Sequence, residues 1–238
     1  MSKRIIQAVL VVASVLTGPI AFAQQGDGTA VNAATVAYTQ KLAEQGDTTA
    51  QFNMGSFYER GNGVAADMVV SRSWYLKAAT QGDPKSQFNL SVLCGLGKGG
   101  PIDNVEATKW LTKSAEQGYL PAMNNLAIAY DEGVGATKNA KLAFLWFQKA
   151  AEAGSVSSMV SAASMLRTGR GVERDFGKSA ALYRKAAELG SQVAQERLGY
   201  MYSIGQGVPK DPVLSDKWKT LAMTAAPTPV AIANKAGE

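Results

Sequence analysis

The chain has 238 residues, 46% hydrophobic and 18% charged, so it carries enough apolar material for a substantial core. The net charge of +5 is mild and evenly spread, which argues against a nucleic-acid-binding surface. The complete lack of histidine excludes Ser-His-Asp and Cys-His triads, histidine bases and the usual zinc ligands.

Residues 1–23 read as a cleaved signal peptide. Lys3 and Arg4 form a positive start, Ile5 to Leu16 an apolar run, and Ala21-Phe22-Ala23 a small-x-small cleavage site. The run is short for a membrane span, and no second apolar stretch follows, so no stable membrane insertion is expected after cleavage. An uncleaved anchor is the alternative. No cysteine follows the run to accept a lipid. Cleavage before Gln24 removes two cations, taking Lys+Arg from 24 to 22 against 19 acids, so the charge falls from +5 to +3. The expected location is the periplasm, or the outside of the cell.

Residues 24–32 are a polar, glycine-containing leader, expected to be flexible. Residues 33–45 read as a lone second helix that caps the first repeat, with Tyr38 at the offset the tryptophans hold in later copies and Leu42-Ala43 at the offset of the paired small residues. From Gly46 onward one unit recurs every 36 residues, through Gly82, Gly118, Gly154 and Gly190. Two further glycines keep the register, at 61, 97, 133, 169 and 205 and at 63, 99, 135, 171 and 207. A fixed period of this length signals a helical-repeat array. Five units fill residues 46–225, and the whole array spans 33–226. Residues 227–238, with two prolines and no periodicity, are expected to be a disordered tail.

Within each unit the first helix starts just after the opening glycine, most plainly at Asp83-Pro84, with Ser155 and Ser191 as caps in other copies. One face is apolar or small, as in Ala50, Met54, Phe57 and Tyr58, or Ala122, Leu126, Ala129 and Tyr130. The helix stops at a glycine suited to a left-handed cap. A short turn leads to Asp67, Asp103, Asn139, Asp175 and Asp211, five capping residues at one offset rather than catalytic carboxylates. The second helix carries Trp74, Trp110, Trp146 and Trp218 over paired small residues, a pattern of close-packed helices rather than an aromatic box for a ligand. Lys77, Lys113, Lys149 and Lys185 recur there, and Glu116, Glu152 and Glu188 stand three residues beyond the last three to neutralise them. The lone Cys94 occupies a position filled by Tyr58, Tyr130 and Tyr202 in other copies, so it reads as a packing residue. The Gly97-Lys98-Gly99-Gly100 turn lacks the preceding strand and the ending of a phosphate loop.

These residues resemble the Sel-one-like repeat, a relative of the tetratricopeptide repeat. The shared pattern is A-E-x-G, then A-x-x-x-L/M-G/A-x-x-Y, then G-x-G-V, then W-Y/F-x-K-A-A, matched in register from Ala33 to about Ala225. The second copy departs with Gly95, Gly100 and Pro101, and the fourth with Ala162, Leu166 and Leu182. The resemblance implies an all-α fold: a right-handed superhelical solenoid of antiparallel helix pairs whose concave face receives other proteins. Secreted bacterial members of the family include envelope-signalling regulators, host-interaction factors and cognate inhibitors of toxins. A cysteine-rich branch binds penicillin-type compounds, but it carries paired cysteines in each repeat and this chain does not.

The function expected is therefore a non-catalytic scaffold or regulator with a protein or peptide partner and with no cofactor and no metal; the alternative is an immunity-type inhibitor of a toxin or enzyme acting in the periplasm. Helical angles place Asn53, Ser56 and Arg60, then Asn89, Asn125, Arg197 and Tyr200, on a flank of the first helices that faces the groove. The asparagines either hold the backbone of an extended peptide or brace one repeat to the next. Arg167, Arg170, Arg174 and Arg184 form a second candidate, a solvated turn or a docking patch for an acidic partner.

Overall fold

The computed structural model describes residues 31–224; the expected signal peptide at 1–23, most of the expected leader, the last two residues of the expected array and the expected tail lie outside the described residues. Eleven helices follow one another there, and no strand occurs among the described residues. They divide into two compact units, the first ending at Lys138 and the second beginning at Asn139. The division falls in the turn between the two helices of the third repeat.

The first unit holds α1 (Ala33–Glu44), α2 (Thr48–Arg60), α3 (Met68–Thr80), α4 (Pro84–Leu96), α5 (Asn104–Glu116) and α6 (Leu120–Glu132). The second holds α7 (Ala140–Glu152), α8 (Val156–Thr168), α9 (Phe176–Glu188), α10 (Gln192–Ile204) and α11 (Pro212–Thr224). Within each unit every helix packs on its neighbours in sequence. None of these helices is long and apolar enough to cross a membrane.

Local chemistry sets the element ends. Asp67 accepts hydrogen bonds from the Val69 and Val70 amides at 2.8 and 3.1 Å, and Asp103, Asn139, Asp175 and Asp211 cap their helices in the same way. The capping residue also closes the turn behind it, because its own amide reaches back to the preceding helix: Asp67 N to Tyr58 O, Asp103 N to Cys94 O, Asp175 N to Leu166 O and Asp211 N to Tyr202 O, all at 2.9–3.0 Å. One aspartate thus both starts a helix and fixes the reversal.

The glycine two residues past each first-helix cap has a different task. Gly135 has φ +69°, and a Cβ there would strike the Asn104 carbonyl oxygen of the preceding repeat. Gly99 stands in the same relation to Met68, and in the second unit Gly171 does so to Ala140 and Gly207 to Phe176. Repeats stack so closely at this point that no side chain fits.

The apolar faces of successive helices gather into clusters within each unit. In the first, Met54, Phe57 and Trp74 pack beside Val36 and Ala43 of α1, and Leu90, Leu93, Cys94 and Trp110 gather around Tyr75. In the second, Met159, Tyr183, Leu198 and Met201 are packed among alanines. Two expectations change here. Tyr38 is exposed, and α1 covers the first repeat with Val36, Thr39 and Ala43 instead, because those positions face α2. Val31 packs on the same cluster and Asn32 caps α1, accepting from the Thr35 amide at 2.8 Å, so these two residues belong with the capping helix and not with the leader.

The lysines are also differently employed. Lys77, Lys113 and Lys149 lie over the rings of Trp74, Trp110 and Trp146 at 3.7, 4.3 and 4.4 Å, one turn along the same helix. Glu152 instead accepts from Gln148 at 2.9 Å. A cation finds a tryptophan face already fixed in place at lower entropic cost than a mobile glutamate.

Candidate functional site

A set of buried glutamines joins successive repeats. Gln51 Nε2 donates to the Ala43 carbonyl at 3.1 Å, Gln87 to Ala79 at 3.1 Å and, in the second unit, Gln195 to Ala187 at 3.2 Å. In the first two copies the free oxygen of that glutamine is filled from behind: Gln81 Nε2 donates to Gln51 Oε1 at 2.7 Å and Gln117 Nε2 to Gln87 Oε1 at 2.8 Å. Copies three and four replace both members together, with Met123 and Ala153, then Met159 and Leu189. Polar pairs with polar and apolar with apolar, as the cost of a half-satisfied buried amide requires. In copy five the Gln195 oxygen is buried with no partner among the described residues.

The expected groove residues divide into two kinds. In the first unit Ser56 and Asn125 are buried, Asn53 and Asn89 half-buried, and Arg60 exposed at the end of α2. Asn89 and Ser56 point at the phenol of Tyr75, which donates to Glu59 Oε2 at 2.8 Å. Burial, and then the Glu59 carboxylate, push that phenol far above the ordinary tyrosine range, against the hydrogen bonds from Asn89 and Ser56. Asn89 therefore braces α4 to the first repeat. Asn125 is only 5% exposed and, among the described residues, makes no hydrogen bond. It lines a cavity of about 80 Å³ between α4, α5 and α6, walled by Val92, Leu96, Leu111, Ile128 and Val134.

In the second unit Arg197 and Tyr200 are exposed on α10, and Ile204 joins them one turn further on; Tyr200 and Ile204 are 53% and 49% exposed. Of the four arginines, Arg174 stacks on Phe176 at 5.3 Å and Arg184 donates to the Tyr202 hydroxyl at 2.7 Å. Arg167 is half-buried with its Nε lacking a hydrogen-bond partner among the described residues, and Arg170 is exposed in the turn. Two of the four are thus engaged inside their own unit. Among the described residues no cluster of three or more His, Cys, Asp or Glu is placed to share a metal ion. Cys94 is free and buried beside Glu106, and burial pushes its thiol up to about 11.

Comparison with known proteins places this geometry. The Sel1 repeat model matches five consecutive segments, at residues 48–83, 84–119, 120–155, 156–191 and 192–218. A protective antigen of uropathogenic Escherichia coli with an SLR fold is 32% identical, with a TM-score of 0.79; the match covers 92% of this chain and 45% of that protein. This chain thus spans under half the length of that antigen. A Sel1 repeat protein from Oxalobacter formigenes is 31% identical, with a TM-score of 0.74 over 83% of this chain and 86% of that one. No protein of curated function matches the sequence.

Proposed function

The chain belongs to the Sel1 repeat family, and from that premise we propose that it is an exported, non-catalytic scaffold that binds a protein partner through the exposed face of α10. The observation that carries the reading is the stripe on α10. Arg197, Tyr200 and Ile204 share one helix face at i, i+3 and i+7, and two large apolar side chains are held half in water there. Tyrosine and arginine are the side chains that most often anchor protein interfaces. The same offset carries Ser56 and Val92, both buried, and Ile128 and Ser164, both half-buried, in the other copies, so α10 is where this position presents a large side chain to solvent. A constant frame with a variable flank suits recognition by many small contacts. Export rests on the positive start, apolar run and cleavage site of residues 1–23.

The test is an affinity capture from the native envelope fraction, with the mature chain and an Arg197→Ala/Tyr200→Ala/Ile204→Ala form as baits and with identification by mass. A partner retained by the first and lost by the second, at equal helical circular dichroism, is the expected result. Identical capture by both baits, or none above background, overturns the assignment. N-terminal sequencing of the exported form should begin at Gln24.

A further inference from the structure

The first two repeat junctions differ in a way that the rest of the fold does not need. At the first junction Ser56, Glu59, Tyr75 and Asn89 form one polar group, in which the phenol ring fills the space and its hydroxyl lies against the asparagine. The same four positions at the second junction are Val92, Gly95, Leu111 and Asn125. Serine has become an aliphatic, glutamate has lost its whole side chain, and tyrosine has become the shorter leucine. Only the asparagine is kept. The space the phenol and carboxylate take at the first junction is left open at the second, as the cavity of about 80 Å³, which has room for several waters or one branched or aromatic side chain.

From this we infer that the cavity between α4, α5 and α6 is a binding pocket for one uncharged apolar side chain of an extended peptide, with the Asn125 amide holding the adjacent peptide group. Three observations select that occupant. The lining holds no charged side chain, so a charged occupant would be buried unpaired. Two of its polar residues are spent internally, Ser91 Oγ on the Phe88 carbonyl at 2.6 Å and Thr108 Oγ1 on the Val134 carbonyl at 3.1 Å. Asn125, 95% buried, keeps a donor and an acceptor unused, the pair that a peptide group complements. Its amide is also not among the completely enclosed polar atoms without partners, so it faces the open volume. Asn104, at the start of α5, is the other amide on the rim. The inference goes beyond the α10 surface: it concerns the first unit and names the chemistry of the ligand.

The probes are capped pentapeptides, acetyl-Gly-Gly-X-Gly-Gly-amide with X as Leu, Phe, Lys or Glu, titrated into the mature chain. The readouts are the Ile128 and Val134 methyl signals and the Asn125 side-chain amide signal by NMR. Saturable shifts are expected for Leu and Phe, with binding by Lys and Glu weaker by roughly 10-fold or more. Gly95→Leu is the blocking variant: a Cβ at Gly95 meets only Ala107 Cβ at 3.7 Å and Asn104 Oδ1 at 3.8 Å, so a side chain enters the pocket without moving backbone. It should abolish the shifts. Should it fail to fold, Val92→Ser/Gly95→Glu/Leu111→Tyr writes the residues of the first junction into the second and should abolish them too. Absent shifts, equal shifts for charged peptides, or shifts that survive blocking would each overturn the inference. None of those results bears on Arg197 and Tyr200, and loss of the α10 reading leaves this titration intact.

Discussion

Replacing Gln87 with methionine isolates the hydrogen bonding of the glutamine bridge, because methionine keeps the length and most of the volume of the side chain. The wild-type amide donates to the Ala79 carbonyl at 3.1 Å and accepts from Gln117 at 2.8 Å. Two buried hydrogen bonds at about 1 kcal/mol each put the loss at roughly 2 kcal/mol. The loss should not climb further, since neither partner is stranded: Gln117 Nε2 still donates to the Gly82 carbonyl at 2.9 Å, and the Ala79 carbonyl still accepts from the Gly82 amide at 3.1 Å. Gln117→Ala should then cost about 1 kcal/mol less in the methionine background than in the wild type, because one of its two bonds has already gone. Urea titration of all four proteins, followed by helical circular dichroism, measures the cycle. The chain itself uses the apolar version at Met123 with Ala153 and at Met159 with Leu189, so the double variant should fold. Additivity within about 0.3 kcal/mol, or a neutral Gln87→Met, would refute the bridge.

Three further outcomes follow from the same geometry. Gly82 has φ +98° and open space for at least 4 Å around the point where a Cβ would stand, so Gly82→Ala should cost about 1–2 kcal/mol of backbone strain alone. Gly135→Ala, blocked by the Asn104 carbonyl, should cost roughly 1–3 kcal/mol more; equal losses in urea titrations would contradict the close stacking. Asp67→Ala should lose about 1–2 kcal/mol and Asp67→Asn much less, since the asparagine oxygen can still accept from the Val69 and Val70 amides; thermal melts of the two decide it. Cys94 should resist a disulfide reagent at pH 8 until urea is added. Its thiol sits at about 11 in the fold against 9.0 ordinarily, so the folded chain keeps the proton longer, and this contribution to stability is full below about pH 9 and fades as pH rises to about 11. Cys94→Ala should be less sensitive over that range, and an identical pH profile would remove the effect.

What the sequence made legible was whatever a single residue decides locally. Asp67 and its equivalents cap because aspartate caps wherever a helix starts, and Gly61 and its equivalents end helices because a left-handed residue favours glycine. Features set by several helices at once were harder to see. Tyr38 matched the tryptophan offset, but the residues α1 buries against α2 are Val36, Thr39 and Ala43, and Tyr38 lies on the other side. Lys113 and Lys149 had glutamates three residues on, yet both lie over tryptophan rings of their own helices. The glutamine bridge left a signal, because the position of Gln51 and Gln87 becomes methionine in the same copies in which the position of Gln81 and Gln117 becomes alanine or leucine; only a comparison of pairs of columns reveals it. The pocket is subtler, since Val92, Gly95, Leu111 and Asn125 come from three helices and acquire meaning only against Ser56, Glu59, Tyr75 and Asn89.

The tryptophans have a practical consequence. Trp74 and Trp110 belong to the first unit, and Trp146 and Trp218 to the second, so the chain carries a matched pair of intrinsic fluorophores on each side of Lys138. Converting Trp146 and Trp218 to phenylalanine leaves emission from the first half alone, and the complementary substitution reports on the other. Overlaid denaturation curves from the two would mean that the halves melt as one block, and separated curves that each keeps its own melting point.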